Sequence, residues 1–314
     1  MKKIYTTILI IIMSLGLVAC SSGVKKEKDN TSDEKVKVYA TIFPIYDFTK
    51  NIGKDKIELN YIVPPSSEPH DYEISAKTIK DIQNADLLIK NGLGVDGFAD
   101  NIKSESEKLN IVVASEGIEK ITYEKDGIHD ENHTEEEHDH GEYDPHVWLN
   151  INNAIKECEN IKNALVKVDA KNKEYYEENY NNYVKELKDL QDSYKENLKE
   201  IKNKTILVSH DAYGYLCKEY GINQISVTGV NPNQEPSMSK IAELTDYAKD
   251  KNIKYILFDG LVNPKVSQTI ANEANIDTMI LYSIDGITKE DFNNSEDYVS
   301  LMEKNLETLK TVLK

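Results

Sequence analysis

From Val36 onward the chain alternates between two hydrophobic rhythms. "VKVYAT" (36–41) alternates apolar and polar residues and predicts a strand, and "FPIYDFTKNIG" (43–53) has helical spacing and a glycine stop. "IELNYIV" (57–63) predicts a second strand, "SAKTIKDIQN" (75–84) a capped helix, and "ADLLIK" (85–90) and "NIVVAS" (110–115) two more short strands. Strands separated by helices predict a mostly parallel sheet covered on both faces.

The rhythm changes in the middle. "INNAIKECENIKNALVKV" (151–168) reads as one amphipathic helix. A long polar segment follows, whose apolar residues Tyr176, Tyr180, Tyr183, Leu187, Leu190, Tyr194, Leu198 and Ile201 recur at steps of three and four. It predicts a rigid helix of about 50 Å at ~1.5 Å per residue, with one apolar stripe packed along both halves of the molecule. The alternation then resumes: strands at "TILVSH" (205–210), "INQISVT" (222–228), "IKYILFD" (253–259) and "DTMILYS" (277–283), with helices between them and a closing helix in "DYVSLMEKNLETLKTVL" (297–313). The expected fold class is α/β: two lobes, each with a mostly parallel sheet flanked by helices, joined by one long rigid helix. Ligands of such folds sit at the carboxyl ends of the strands.

The chain before Val36 does not fit this scheme. "MKK" and the apolar "IYTTILIIIMSLGLV" form a leader too short for a comfortable membrane span, ending in the lipobox-like "LVAC". Cys20 is the expected lipidation site and first mature residue, tying the protein to a membrane face. "SSGVKKEKDNTSDEK" lacks large apolar residues and reads as a tether. The expected organisation is a signal peptide at 1–19, a tether at 20–35, an N-terminal lobe at 36–168, a linking helix at 169–202 and a C-terminal lobe at 203–314. An acidic histidine-rich loop at about 124–143 interrupts the first lobe.

Composition narrows the function. The formal net charge is −17, and loss of Lys2 and Lys3 with the leader takes it to −19. Such a chain repels nucleic acid and attracts cations. It contains no arginine, the usual fork for carboxylate and phosphate ligands. Beyond Cys20 only Cys158 and Cys217 remain; both lie in helical patterns and are expected to be buried free thiols. With no Cys-x-x-Cys, a thiolate zinc site is excluded.

Five of the seven histidines fall in "GIHDENHTEEEHDHGEYDPHVWLN" (127–150). His129, His133, His138 and His140 sit among acids with no apolar residue to pin them, a composition that builds no core. His146, in "YDPHVWLN", belongs instead with His70 in "PSSEPHDYE" and His210 in "TILVSHDAYGY": each lies at a strand end or in a loop leading to a helix. Imidazole suits zinc and other late divalent metals. A carboxylate from a later strand end would complete a tetrahedral set; Asp285 in "MILYSIDGI" fits, and Asp259 in "ILFDG" competes.

"PSSEPHDYE", "YDPHVWLN", "SHDAYGYL", "VNPNQEPS", "ILFDGLVNPKVSQTIANEANI", "SIDGIT" and "DYVSLMEKNLETL" occur in that order. In this the chain resembles the cluster A metal-binding solute-binding lipoproteins of ABC importers, over nearly all of its mature length. The resemblance is closest to zinc-specific members with a histidine-rich loop. It implies two α/β lobes joined by a long helix, a metal between them, and transfer of that metal to a membrane permease. By motif it implies the ligands His70, His146, His210 and Asp285. A histidine at the third position resembles the zinc members, where manganese members carry glutamate, so Zn²⁺ is expected over Mn²⁺. Many relatives have glutamate where this chain has Asp259, which touches a supporting residue. The histidine run is expected to act as a secondary, low-affinity metal loop. The expected protein is a monomeric receptor that is not an enzyme and binds no nucleic acid, lipid-anchored on the outer face of a bacterial, Gram-positive cell membrane. The readings weighed against it are a surface zinc hydrolase and an adhesin.

Overall fold

The structure is a computed structural model that describes residues 35–102, 108–122, 142–201 and 204–314. The leader, Cys20, most of the tether and His129, His133, His138 and His140 lie outside the described residues.

The described chain forms two four-stranded parallel sheets. The first holds β1 (Val36–Ala40), β2 (Ile57–Tyr61), β3 (Leu87–Lys90) and β4 (Asn110–Val113) in the order β2-β1-β3-β4. The second holds β5 (Lys204–Val208), β6 (Ile222–Ser226), β7 (Tyr255–Phe258) and β8 (Asp277–Ile280) in the order β6-β5-β7-β8. Both orders reverse beside the first strand, which opens a crevice at the carboxyl ends of the strands.

The near-continuous apolar runs of the central strands follow from burial on both faces. Val38, Ala40, Leu87 and Ile89 enter a core shared by both halves, whereas Tyr39 and Leu88 enter a separate outer cluster with Ile82 and Leu109. The second sheet repeats the division: Ile206, Val208 and Leu257 join the shared core, and Leu207 and Ile256 pack outward with Leu244 and Ile270.

Helices fill the connections: α1 (Phe43–Gly53), α2 (Ala76–Gln83), α3 (Ile151–Val168), α4 (Lys173–Leu198), α5 (Gly214–Tyr220), α6 (Met238–Asp250), α7 (Lys265–Ala274), the short α8 (Lys289–Asn293) and α9 (Tyr298–Val312). Several start where the sequence places a cap. Ser75 accepts from the Thr78 amide at 3.1 Å, and Asn150 from the Asn152 amide at 2.8 Å. Asp297 and Ser300 form a reciprocal capping box. Gly221, at φ +67, ends α5 in the left-handed conformation that suits glycine.

The long linking helix is present and shorter than the expected span of residues 169–202. Asp169 accepts from Asn172 Nδ2 and the Tyr176 hydroxyl, both at 2.7 Å, and the chain makes a 3₁₀ turn at Ala170–Asn172 before α4 begins. The regular helix of 26 residues is about 39 Å long. Its stripe is buried at Tyr176, Tyr183, Leu187, Leu190, Tyr194 and Leu198. It grips both halves: Asn179 Nδ2 donates to the Ile52 carbonyl at 3.0 Å, and the Tyr194 hydroxyl to the Met302 carbonyl at 2.6 Å. Burying each leucine is worth roughly 1.5–3 kcal/mol. Cys158 and Cys217 are buried free thiols. Among the described residues no helix is long and apolar enough to cross a membrane.

Candidate metal centre

Four loops converge where the two sheets' carboxyl ends meet. The first follows β2. Pro69 supplies a backbone preset for the first position of a helical turn, and the Glu68 carboxylate accepts from the His70 amide at 3.2 Å, so a single 3₁₀ turn starts at Pro69–Asp71. The His70 side chain is 3 % exposed.

His146 is fully buried. Its amide and its Nδ1 both reach one oxygen of Asp144, at 2.9 and 2.8 Å. A carboxylate on Nδ1 fixes the tautomer, so Nε2 carries the free lone pair. The ring also meets the edge of Trp148, with centroids 5.4 Å apart.

His210 follows β5 directly. It is fully buried, and neither ring nitrogen has a hydrogen-bond partner. A buried polar atom left so is costly unless something else occupies its lone pair.

Asp285 lies beyond β8 in a segment held against the first half. Trp148 Nε1 donates to the Ser283 carbonyl at 2.7 Å, and the Phe43 amide to the Asp285 carbonyl at 3.0 Å. Ile284, just before it, has φ 61, a strained conformation for a β-branched residue that surrounding packing must hold. Gly286, just after, approaches so closely that an added Cβ would stand 2.7 Å from Leu261 Cδ1 and 3.2 Å from the Ser67 carbonyl oxygen. The Ser283 hydroxyl and the Gly286 amide both donate to Asp285 Oδ1, at 2.8 and 2.7 Å, while Oδ2 accepts no hydrogen bond.

His70, His146 and Asp285 each present one ligand atom within 4.8 Å of the other two. His70 Nε2 lies 3.3 Å from His146 Nε2 and 3.7 Å from Asp285 Oδ2. A tetrahedron with metal–ligand arms of about 2.0–2.1 Å has edges of about 3.4 Å, so both spacings are near those of a zinc coordination sphere. His210 is not in that trio, but its ring centroid is 5.6 Å from that of His146 and its nitrogens are bare. Asp259, the competing carboxylate, is engaged on both oxygens: the Leu261 amide donates to one at 2.7 Å and the Ser283 amide to the other at 3.0 Å. It props the segment that carries Asp285.

Burial decides the charge states. It pushes His146 down to about 3 and His210 well below the usual imidazole range, the latter helped by neighbouring His146 and His70. Both rings are therefore neutral and ready to ligate. Burial, with Asp259 nearby, pushes Asp285 up to about 7, and burial pushes Asp144 up to about 8. A divalent cation here would favour the charged carboxylates that burial disfavours.

Asp144 was not singled out from the sequence, although it stands two residues before His146 in "DPH", a spacing that lets one carboxylate meet both the backbone and the ring. Asn231 and Asn233, in "VNPNQEPS", also gain a place: they donate to the two oxygens of Asp71, beside His70, at 2.7 and 2.6 Å.

Comparison with known proteins places the fold in a family. The family model described as ZnuA, zinc-uptake complex component A periplasmic, matches residues 38–312. The high-affinity zinc uptake system protein ZnuA of Bacillus subtilis (strain 168) is 36% identical over 308 residues, covering 95% of this chain and 93% of that one. The zinc-binding protein AdcA of Streptococcus pyogenes serotype M3 is 36% identical over 313 residues; the match covers 96% of this chain but only 61% of AdcA. The solved Zn(II)-bound ZnuA-like domain of Streptococcus pneumoniae AdcA superposes with a TM-score of 0.76 at 31% identity, covering 89% of this chain and 99% of that domain. The laminin binding protein Lmb of Streptococcus agalactiae, described as bifunctional with adhesin and metal transporting activity, gives a TM-score of 0.76 at 26% identity, covering 89% and 100%. Because the family match runs from the first strand to the last helix and takes in all four converging loops, the chain belongs to the zinc-uptake complex component A family.

Proposed function

We propose that this protein binds Zn²⁺ outside the cytoplasm, with high affinity, and delivers it to the permease of an ABC-type importer. The ligands in this reading are His70, His146, His210 and Asp285. The observation that carries it is the convergence, from both halves of the molecule, of His70, His146 and Asp285, whose ligand atoms lie within 4.8 Å of one another, beside a buried His210 whose nitrogens accept and donate no hydrogen bond. Three imidazoles and one carboxylate favour zinc over manganese, which prefers harder oxygen sets. A hydrolase needs an open metal position for water, which Asp285 would fill. The protein is a transport receptor and not a catalyst in this reading.

The finer parts of the reading rest on sequence. Cys20 carries the lipid that holds a monomeric receptor on the outer face of a Gram-positive cell membrane. His129, His133, His138 and His140 form a weak, fast-exchanging secondary metal loop. Calorimetric titration of the metal-free protein tests the whole. Zinc should bind tightly and manganese far more weakly, and tight zinc binding should survive deletion of residues 130–140 but collapse in His210→Ala. Equal affinity for manganese, or loss on loop deletion alone, would sink it. The likeness to Lmb supports a second role in adhesion; laminin binding by a His146→Ala variant would establish that role independently of metal.

A further inference from the structure

The three polar residues Asp71, Asn231 and Asn233 stand outside the metal set yet join its two sides. Asp71 closes the same 3₁₀ turn that presents His70. Its Oδ1 accepts from Asn231 Nδ2 at 2.7 Å and its Oδ2 from Asn233 Nδ2 at 2.6 Å, so neither asparagine can leave without baring one side of the carboxylate. The two amides are preset for this. Asn231 Oδ1 accepts from the Asn233 amide at 2.8 Å, an Asx turn that aims both side chains the same way. The loop bearing them is tied to the loop bearing His210, because the Asp211 amide donates to the Gly229 carbonyl at 3.0 Å and the Thr228 amide to the Ser209 carbonyl at 3.1 Å. The backbone carrying His210 is thus linked through two hydrogen-bonded steps to the turn carrying His70.

The clasp also lines a cleft. The cleft has a volume of about 430 Å³ and is lined by His70, Asp71, Phe98, Asn231 and Gln234 among others. Asn231 is buried, while Asp71 and Asn233 are exposed. One bond of the clasp is sheltered and the other is open to water, so it can be undone from outside without unfolding either sheet.

We propose that Asp71, Asn231 and Asn233 are positioning residues that hold His70 against the His210 loop and so set how fast bound metal leaves. The clasp acts mainly on retention, because its loss frees the His70 turn to move away from a bound ion. This rests on the zinc-binding reading above, so the test carries one readout that needs no metal. Two variants of the full mature chain are compared with the parent: Asn231→Ala/Asn233→Ala, and the exchange Asp71→Asn/Asn231→Asp, which reverses the donor and acceptor of the inner bond and leaves an acceptor for Asn233.

Zinc dissociation into excess chelator, followed by stopped flow, should accelerate about tenfold or more in the alanine variant. Association should change less than about twofold, and the exchange variant should return to within about threefold of the parent. In the metal-free proteins, amide hydrogen exchange at His70 and Tyr72 should quicken in the alanine variant and recover in the exchange variant, while strand amides stay unchanged. Parental dissociation from the alanine variant, or an exchange variant as leaky as it, overturns the proposal. So does unaltered exchange at His70 and Tyr72. If the parent itself failed to bind zinc, the reading of the metal centre would fall, and the amide exchange would still judge whether the clasp positions His70.

Discussion

The two halves of the candidate centre are built differently. On the first side, His146 is prearranged by Asp144, which takes both its amide and its Nδ1, and the turn bearing His70 is started by Glu68. On the second side, His210 has no partner on either nitrogen, and Asp285 keeps Oδ2 bare while Oδ1 is tied down. The first side is a pair of imidazoles oriented at rest, with their Nε2 atoms 3.3 Å apart. The second is a pair of buried polar groups that the fold leaves unsatisfied. Such a division suits a carrier. One side can hold geometry through a cycle of loading and release, and the other gains most when the ion arrives.

The sharpest way to break this comparison is to remove a ligand from each side. His146→Ala should weaken zinc by more than about a hundredfold, beyond the usual cost of losing a supporting partner. His210→Leu should lose affinity on a similar scale, yet the two variants should part in the metal-free state. His146→Ala leaves a cavity and strands Asp144, so its metal-free form should melt below the parent. His210→Leu deletes two unsatisfied nitrogens and fills the space with apolar atoms, so its metal-free form should melt at or above the parent, by up to about 1–2 kcal/mol. Calorimetry and thermal melting of both variants, with and without zinc, check this. A metal-free His210→Leu protein that melts well below the parent would show that the second side is not strained in the way described.

A smaller effect separates the supports from the ligands. Asp144→Asn keeps the size of the side chain but replaces the acceptor that selects the tautomer of His146, and should weaken zinc by about 10–100-fold. Asp259→Asn acts one step further out, through the Ser283 amide, and should cost less than Asp144→Asn. Titration of the two variants side by side tests the order; a reversal would make Asp259 the nearer partner.

Much of this arrangement was legible in the sequence, and the illegible part has a physical reason. Both parallel sheets and the linking helix follow from hydrophobic period, because strands buried on two faces cannot hide their apolar runs. The three histidines at loop positions and Asp285 were visible as residue types, but the choice between Asp285 and Asp259 was not. Both follow an apolar strand, and only the backbone amides of Leu261 and Ser283, brought together by folding, occupy Asp259. Ile284 at φ 61 is likewise invisible, since isoleucine is a poor signal for a left-handed turn. Asp71, Asn231 and Asn233 could not be paired because their partners lie 160 and 162 residues apart. The 3₁₀ turn before the linking helix escaped the period count because Ala170–Asn172 lies ahead of Tyr176, the first apolar residue of the stripe.

The smallest expected effect is one of pH, and it sharpens the comparison because on each side the imidazole and the buried carboxyl titrate in opposite senses. His146 is pushed down to about 3 from its ordinary 6.5, so between those values the folded protein binds fewer protons than the unfolded chain, and stability rises with pH. The buried carboxyls are pushed the other way from an ordinary 3.8: Asp285 to about 7, Asp144 to about 8, and Asp47, in the shared core, to about 7. Between 3.8 and those values the folded protein binds more protons, so their contribution falls as pH rises. Below 6.5 the two trends oppose. Between 6.5 and 8 His146 is neutral in both states and only the carboxyls act. The metal-free protein should therefore lose a few degrees of melting temperature from pH 6.5 to 8. Saturating zinc, which binds the ionised carboxylates, should flatten or reverse that slope, and Asp144→Asn should shrink it in the metal-free form. A metal-free melting temperature that climbs steadily across this window would mean that the carboxyls around His146 and Asp285 are already ionised before metal arrives.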